Sequence, residues 1–131
     1  MSDLTVHVDD HALPAEWADA NPETRAAIAE ALPIVGNAAR WGDELYVGTD
    51  VDAPVAETRT VVEPGTIAYW PSGPAICLFW GPTPASTDGR PRAASPVAVI
   101  GRVTDVDPLE SVDGPARLRV SAATAQNGER S

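Results

Sequence analysis

The segment Ala75-Ile76-Cys77-Leu78-Phe79-Trp80 is apolar at every position, and Pro71-Ser72-Gly73-Pro74 and Gly81-Pro82-Thr83-Pro84 close it off on both sides. A strand with no polar face has to be covered on both faces. In a small barrel, one face then fills the lumen and the other lies under a helix or loop. The chain must supply that cover from 131 residues, the length of one domain. With 44% hydrophobic residues it can do so without disulfide or metal staples. Thirteen Pro and ten Gly break the chain into short pieces, which favours several short strands over long helices.

Leu4, Val6 and Val8 alternate with Thr5 and His7, the pattern of a half-buried strand. Asp9 to Ala20 is mixed and carries Pro14 and Trp17. Asn21-Pro22-Glu23 reads as a helix start, with Asn as N-cap, Pro at the first helical position and Glu in the first turn. A helix is predicted from Pro22 to about Leu32, with Ala27, Ile28, Ala31 and Leu32 on one face and Pro33 as its stop. Ile34–Trp41 and Glu44–Val51 are predicted to form a hairpin through a II′ turn at Gly42-Asp43. In that register Trp41 faces Glu44 and Arg40 faces Leu45. Further strands are expected at Arg59–Val62, Ile67–Trp70, Ala75–Trp80, Val97–Val103 and around Leu118 and Val120, with loops at Asp52–Thr58 and Thr87–Ser95. Residues 1–123 are expected to form one domain and 124–131 a frayed polar tail. About eight short strands and one helix suit a closed barrel or a sandwich, and periodicity does not choose between them.

The formal net charge is -10, and all nine basic residues are Arg. Lys carries a long apolar stem, whereas a surface in concentrated salt favours short hydrated carboxylates. The balance therefore points to a halophilic, archaeal, cytoplasmic origin, with codon bias as the blander explanation. No basic patch is available for nucleic acid or anionic membranes, so neither is expected as a partner. No apolar stretch reaches the ~20 residues of a membrane span, and Met1-Ser2-Asp3 does not begin like a signal peptide. His7, His11 and Cys77 have no zinc-ligand spacing, so no metal or cofactor is expected. Cys77 is expected as a buried inert thiol, since no base lies in the local pattern.

The ordered set Glu30-Ala31-Leu32-Pro33-Ile34, Ala39–Val47, Pro64–Pro71, Phe79–Pro84 and Ala94–Val103 is more specific than any one piece. Together these segments resemble a family of stand-alone cyclophilin-like domains of archaea and thermophilic bacteria, over roughly residues 1–110. The resemblance implies an all-β, closed eight-stranded barrel with one main capping helix, and no firmly assigned activity. Cyclophilins proper are peptidyl-prolyl isomerases. Rotation about the X–Pro bond faces a barrier of ~20 kcal/mol. An apolar pocket with a guanidinium aimed at the prolyl nitrogen can lower it.

Arg40 is the counterpart that the resemblance suggests for the cyclophilin catalytic Arg. The residues themselves equally allow a structural Arg that pairs with Asp43 or Glu44 and stacks on Trp41. Ile76, Leu78 and Phe79 lie on the strand that resembles the cyclophilin pocket strand, or are plain core. Trp41, Tyr69, Trp70 and Trp80 line a groove if exposed and are core if buried. Ser95-Pro96 stand where cyclophilins carry a His or an aromatic at the pocket rim. The expected site is a cleft near Arg40, Trp41, Tyr69, Trp70, Ile76 and Phe79 that holds an apolar or proline-containing peptide or small ligand. The alternative is an isomerase with Arg40 as electrostatic catalyst. A monomer or small homo-oligomer is expected.

Overall fold

In the computed structural model, residues 3–123 are described. The alternating start of the chain forms β1 (Leu4–Val8), with Leu4, Val6 and Val8 buried. It is followed by β2 (His11–Trp17), α1 (Pro22–Ala31), β3 (Ile34–Arg40), β4 (Glu44–Gly48), β5 (Arg59–Val61), β6 (Thr66–Trp70), β7 (Ala75–Phe79), β8 (Arg92–Val103) and β9 (Ala116–Ala122). The hydrogen-bonded order is β2-β1-β9-β3-β4-β7-β6-β8, and a further β2–β8 pairing closes the ring into an eight-stranded antiparallel barrel. Closure removes the free sheet edges that a sandwich would leave. The remaining strand, β5, pairs with β8 outside the ring.

β7 is buried along its whole length, as its apolar sequence requires. Its two faces have different neighbours. Ile76 and Leu78 join Ile67, Tyr69, Leu45 and Val47 in the cluster that fills the lumen. Cys77 and Phe79 point outward into a second cluster with Val62, Ala68, Ala93 and Val97. The outer cover is thus the region of β5 and the first part of β8 rather than the helix. Helix α1 packs Ile28 into the lumen cluster.

Four expectations are corrected. Asp9–Ala20 contains a strand, β2, despite Pro14. The Pro14 carbonyl accepts from Thr104 N, just past the end of β8, so the missing proline N–H falls where the neighbouring strand has ended. β8 begins at Arg92, because part of the supposed Thr87–Ser95 loop pairs with β5. Asn21 lies at φ 54° and makes no side-chain cap bond. Instead its Nδ2 donates to Val99 O at 3.1 Å, and its Oδ1 accepts from Ala56 N at 3.1 Å and Glu57 N at 2.9 Å. The helix accordingly buries Thr24 and Ile28 and leaves Ala31 exposed, a stripe shifted from the expected one. The polar tail at 124–131 lies outside the described residues.

Candidate functional site

The β3–β4 hairpin has the predicted register, with Arg40 opposite Leu45 and Trp41 N donating to Glu44 O at 2.9 Å. Gly42 takes φ 64°, the positive value that the first position of a II′ turn needs. A Cβ there would lie 2.7 Å from Thr83 Cα. Glycine therefore serves both the turn and the close approach. Asp43 N donates to Pro82 O at 2.9 Å and Trp80 N to Asp43 O at 3.0 Å, which fastens the turn to the segment after β7.

Strand parity then sets which side chains meet. Glu44 lies opposite Phe79 and Tyr46 opposite Cys77, and Cys77 lies opposite Ala68. All of these point to the outside of the barrel, as does Trp70. There Glu44, Tyr46, Cys77 and Trp70 border a hollow of about 280 Å³. Trp41, Tyr46 and Trp70 form its aromatic walls, and β8 contributes Ala93, Ser95 and Val97. At its base lie Cys77, 3% exposed, and Glu44, 5% exposed. Trp70 is held in place, since its Nε1 donates to Ser95 Oγ at 2.6 Å and its ring packs on Gly73. A larger hollow bordered by Glu16, Asp19, Arg59 and Arg102 is rimmed by exposed charges and holds no buried titratable group.

Glu44 is the chemically distinctive residue of the pocket. Burial raises its carboxyl to about 7 from an ordinary 4.5, and a hydrogen bond with the Cys77 thiol lowers it in part. The Cys77 thiol is itself pushed well above its ordinary range, first by burial and then by the carboxyl beside it. The ion pairs of the described residues, Arg40–Asp43 and Arg90–Asp88, do not include Glu44.

The expected site residues separate into two groups. Trp41 and Trp70 are on the pocket wall. Tyr69 and Ile76 are not, because their parity turns them into the lumen, where each is 1% exposed. The Tyr69 hydroxyl donates to Val51 O at 2.7 Å and accepts from Ala53 N at 3.2 Å, tying the Asp52–Thr58 loop to the barrel. Phe79 has the outward parity but is 0% exposed under the second cluster. Arg40 shares the face of Leu45 and not that of Glu44. Its guanidinium donates to Gly42 O at 2.7 Å, to Val112 O and to Asp43 Oδ1 at 3.0 Å. It also lies 5.5 Å from the centre of the Trp80 ring, so the stacking partner is Trp80 rather than Trp41. Glu44 and Tyr46 were missed as site residues. The available signal was their alternation beside an all-apolar partner strand, which sets both on the outer face.

Among the described residues no group of three His, Cys, Asp or Glu is placed to hold a metal ion, and no helix is long and apolar enough to cross a membrane. The family described as "Cyclophilin-like" matches residues 2–121. A hypothetical protein of Archaeoglobus fulgidus, whose solution structure is known, shares 42% identity over 93% of this chain and 95% of its own, with a TM-score of 0.76. No curated protein matches the chain. The fold is that of a cyclophilin-like barrel, and the chain belongs to the cyclophilin-like family.

Proposed function

We propose that this domain is a binding module whose outer pocket holds an apolar or proline-containing ligand, either a peptide segment or a small molecule. The observation that carries this reading is the pair of half-buried indoles, Trp41 and Trp70, bordering a hollow that the protein's own side chains leave open. Rigid aromatic walls accept saturated and flat rings, proline included, with little loss of side-chain freedom. An isomerase driven by Arg40 has less support. That guanidinium is engaged by two carbonyls, a carboxylate and an indole, and it does not border the pocket.

The test is a titration of the tryptophan-labelled protein, followed by the indole N–H signals. A proline-containing tetrapeptide and neutral 3,3-dimethylbutan-1-ol serve as probes. Trp41 and Trp70 signals are expected to move with at least one probe, while that of Trp17, on β2 outside the pocket, stays in place. Stationary Trp41 and Trp70 signals with both probes, and with choline as the charged counterpart of the alcohol, overturn the reading.

A further inference from the structure

We propose that the pocket selects a ligand with a positive charge inside an apolar shell, an alkylated ammonium group seated between Trp41, Tyr46 and Trp70 and over the Glu44 carboxylate. This names the ligand chemistry of the binding reading above and rests on it.

A buried carboxyl normally has an arginine, a lysine or several N–H donors beside it, because an uncompensated charge away from water is costly. Glu44 is 5% exposed, and neither ion pair of the described residues includes it. The nearby arginine, Arg40, sits on the opposite face of the hairpin and is held by Asp43, Gly42 and Val112. The neighbour of Glu44 in the pocket is the Cys77 thiol, which is at best a weak donor. The site thus holds a carboxyl that lacks a cation, and the open space of the pocket lies directly against it.

The walls suit such a cation. The faces of Trp and Tyr rings carry negative potential and attract an ammonium, most strongly where water is excluded. Trp41, Tyr46 and Trp70 surround the hollow, and Tyr46 is one of the few large apolar side chains left exposed, at 37%. A trimethylammonium group presents methyls to the rings and charge to the carboxylate. A hollow of about 280 Å³ is large enough for it and small for a drug-sized molecule. The net charge of -10 draws cations toward the surface as a whole.

Other titratable groups around Glu44 do not supply the missing charge. β4 presents Tyr46 and β7 presents Cys77, while Asp43 of the turn does not border the pocket and is engaged by Arg40. β8 presents Ala93, Ala94, Ser95 and Val97, none of them titratable, and β6 presents Trp70.

The experiment compares choline with 3,3-dimethylbutan-1-ol, its neutral counterpart of the same shape, using the Trp41 and Trp70 indole signals. At about pH 8.5 choline is expected to bind about tenfold more tightly or better, since a desolvated cation–π contact and a carboxylate act together. Between about pH 8.5 and about pH 5.5 the choline affinity of the natural protein should fall several-fold as Glu44 takes up a proton, while that of the alcohol stays level. In Glu44→Gln the preference for choline should shrink several-fold at about pH 8.5, to what the rings alone supply, and should no longer change with pH. The pH series on the natural protein carries the test if that variant fails to fold. Equal affinities for the two probes, or a choline preference in Glu44→Gln that is undiminished at about pH 8.5, overturn this inference and leave the binding reading standing. No response to either choline or the alcohol, with none to the tetrapeptide, overturns both.

Discussion

Glu44 and Cys77 are diagonal neighbours on the outer face of the barrel: Glu44 pairs with Phe79, Cys77 pairs with Tyr46, and both side chains border the same pocket across that one step. The contact joins a strand that begins with a charge to one without a polar residue. Burial raises the cost of ionising both groups, the carboxyl adds to that of the thiol, and the thiol offsets part of that of the carboxyl, so both stay protonated further up the pH scale than they would in water.

Stability therefore depends on pH in the direction opposite to that of a salt-bridged carboxylate. The unfolded chain loses the Glu44 proton near 4.5, and the folded chain holds it to about 7. Between these values the folded state binds more protons, so stability falls as pH rises through the window and stays lower above it. The difference corresponds to roughly 3 kcal/mol in favour of the protonated form. Urea melts of the natural protein and Glu44→Gln at about pH 4.5 and about pH 8 check this, with the variant gaining relative stability at the higher pH. Parallel behaviour of the two proteins would mean that the carboxyl is solvated.

Much of the fold was legible because the apolar β7 and its Pro/Gly boundaries leave few ways to cover both faces, and the resemblance chose the closed form. The Gly42-Asp43 turn was legible because a two-residue turn with glycine fixes its own register. Pro14 obscured β2, since a proline inside a strand is tolerated only where the neighbour has no use for its N–H. The site was half legible. Trp41 and Trp70 reached the pocket, whereas Tyr69 and Ile76 went to the lumen. Residue type does not separate these pairs. Parity does, and it becomes readable only once β6 and β7 are paired in register. Glu44 was hidden because a single carboxylate at a strand start ordinarily faces water.

Cys77 should be nearly inert in the native protein. It is 3% exposed, and burial holds its thiol well above the ordinary range. At about pH 8 an alkylating reagent is expected to modify it at least about a hundred-fold more slowly than in the urea-unfolded chain, because only the thiolate attacks. Comparable rates in the two states would place the sulfur in open contact with solvent.

Replacing Arg40 should act on stability and spare the pocket. The Arg40–Asp43 pair is partly exposed, with side-chain accessibilities of 24% and 35%, so its ionic part contributes at most about 1 kcal/mol. The bonds to the Gly42 and Val112 carbonyls and the Trp80 contact add to it. Arg40→Ala is expected to lose about 1–3 kcal/mol in urea melts, with probe affinity at Trp41 and Trp70 changed less than about twofold. A large loss of affinity with unchanged stability would return Arg40 to the site.

Tyr69→Phe separates lumen from pocket by a single oxygen. That oxygen donates to Val51 O and accepts from Ala53 N in a buried setting. Its removal leaves two backbone groups without a partner, at a cost of about 1–3 kcal/mol. The Trp41 and Trp70 indole signals should keep their positions and their response to probes. Displaced indole signals would show that Tyr69 communicates with the pocket.

Salt should stabilise the domain. Nineteen carboxyl residues stand against nine arginines, and such an excess opposes compaction through self-repulsion. The screening length falls from ~10 Å at 0.1 M salt to ~3 Å at 1 M. Repulsion between carboxylates on neighbouring strands is weakened over that range. Thermal melts in potassium chloride are expected to rise by several degrees, equivalent to about 1 kcal/mol or more. Screening alone levels off near ~1 M, where the screening length is already shorter than the spacing of most surface charges. A continued rise above that concentration instead points to hydrated carboxylates suited to concentrated salt, the adaptation that the absence of Lys suggests. A melting temperature that stays flat or falls as salt is added would show that the acidic surface carries no net strain.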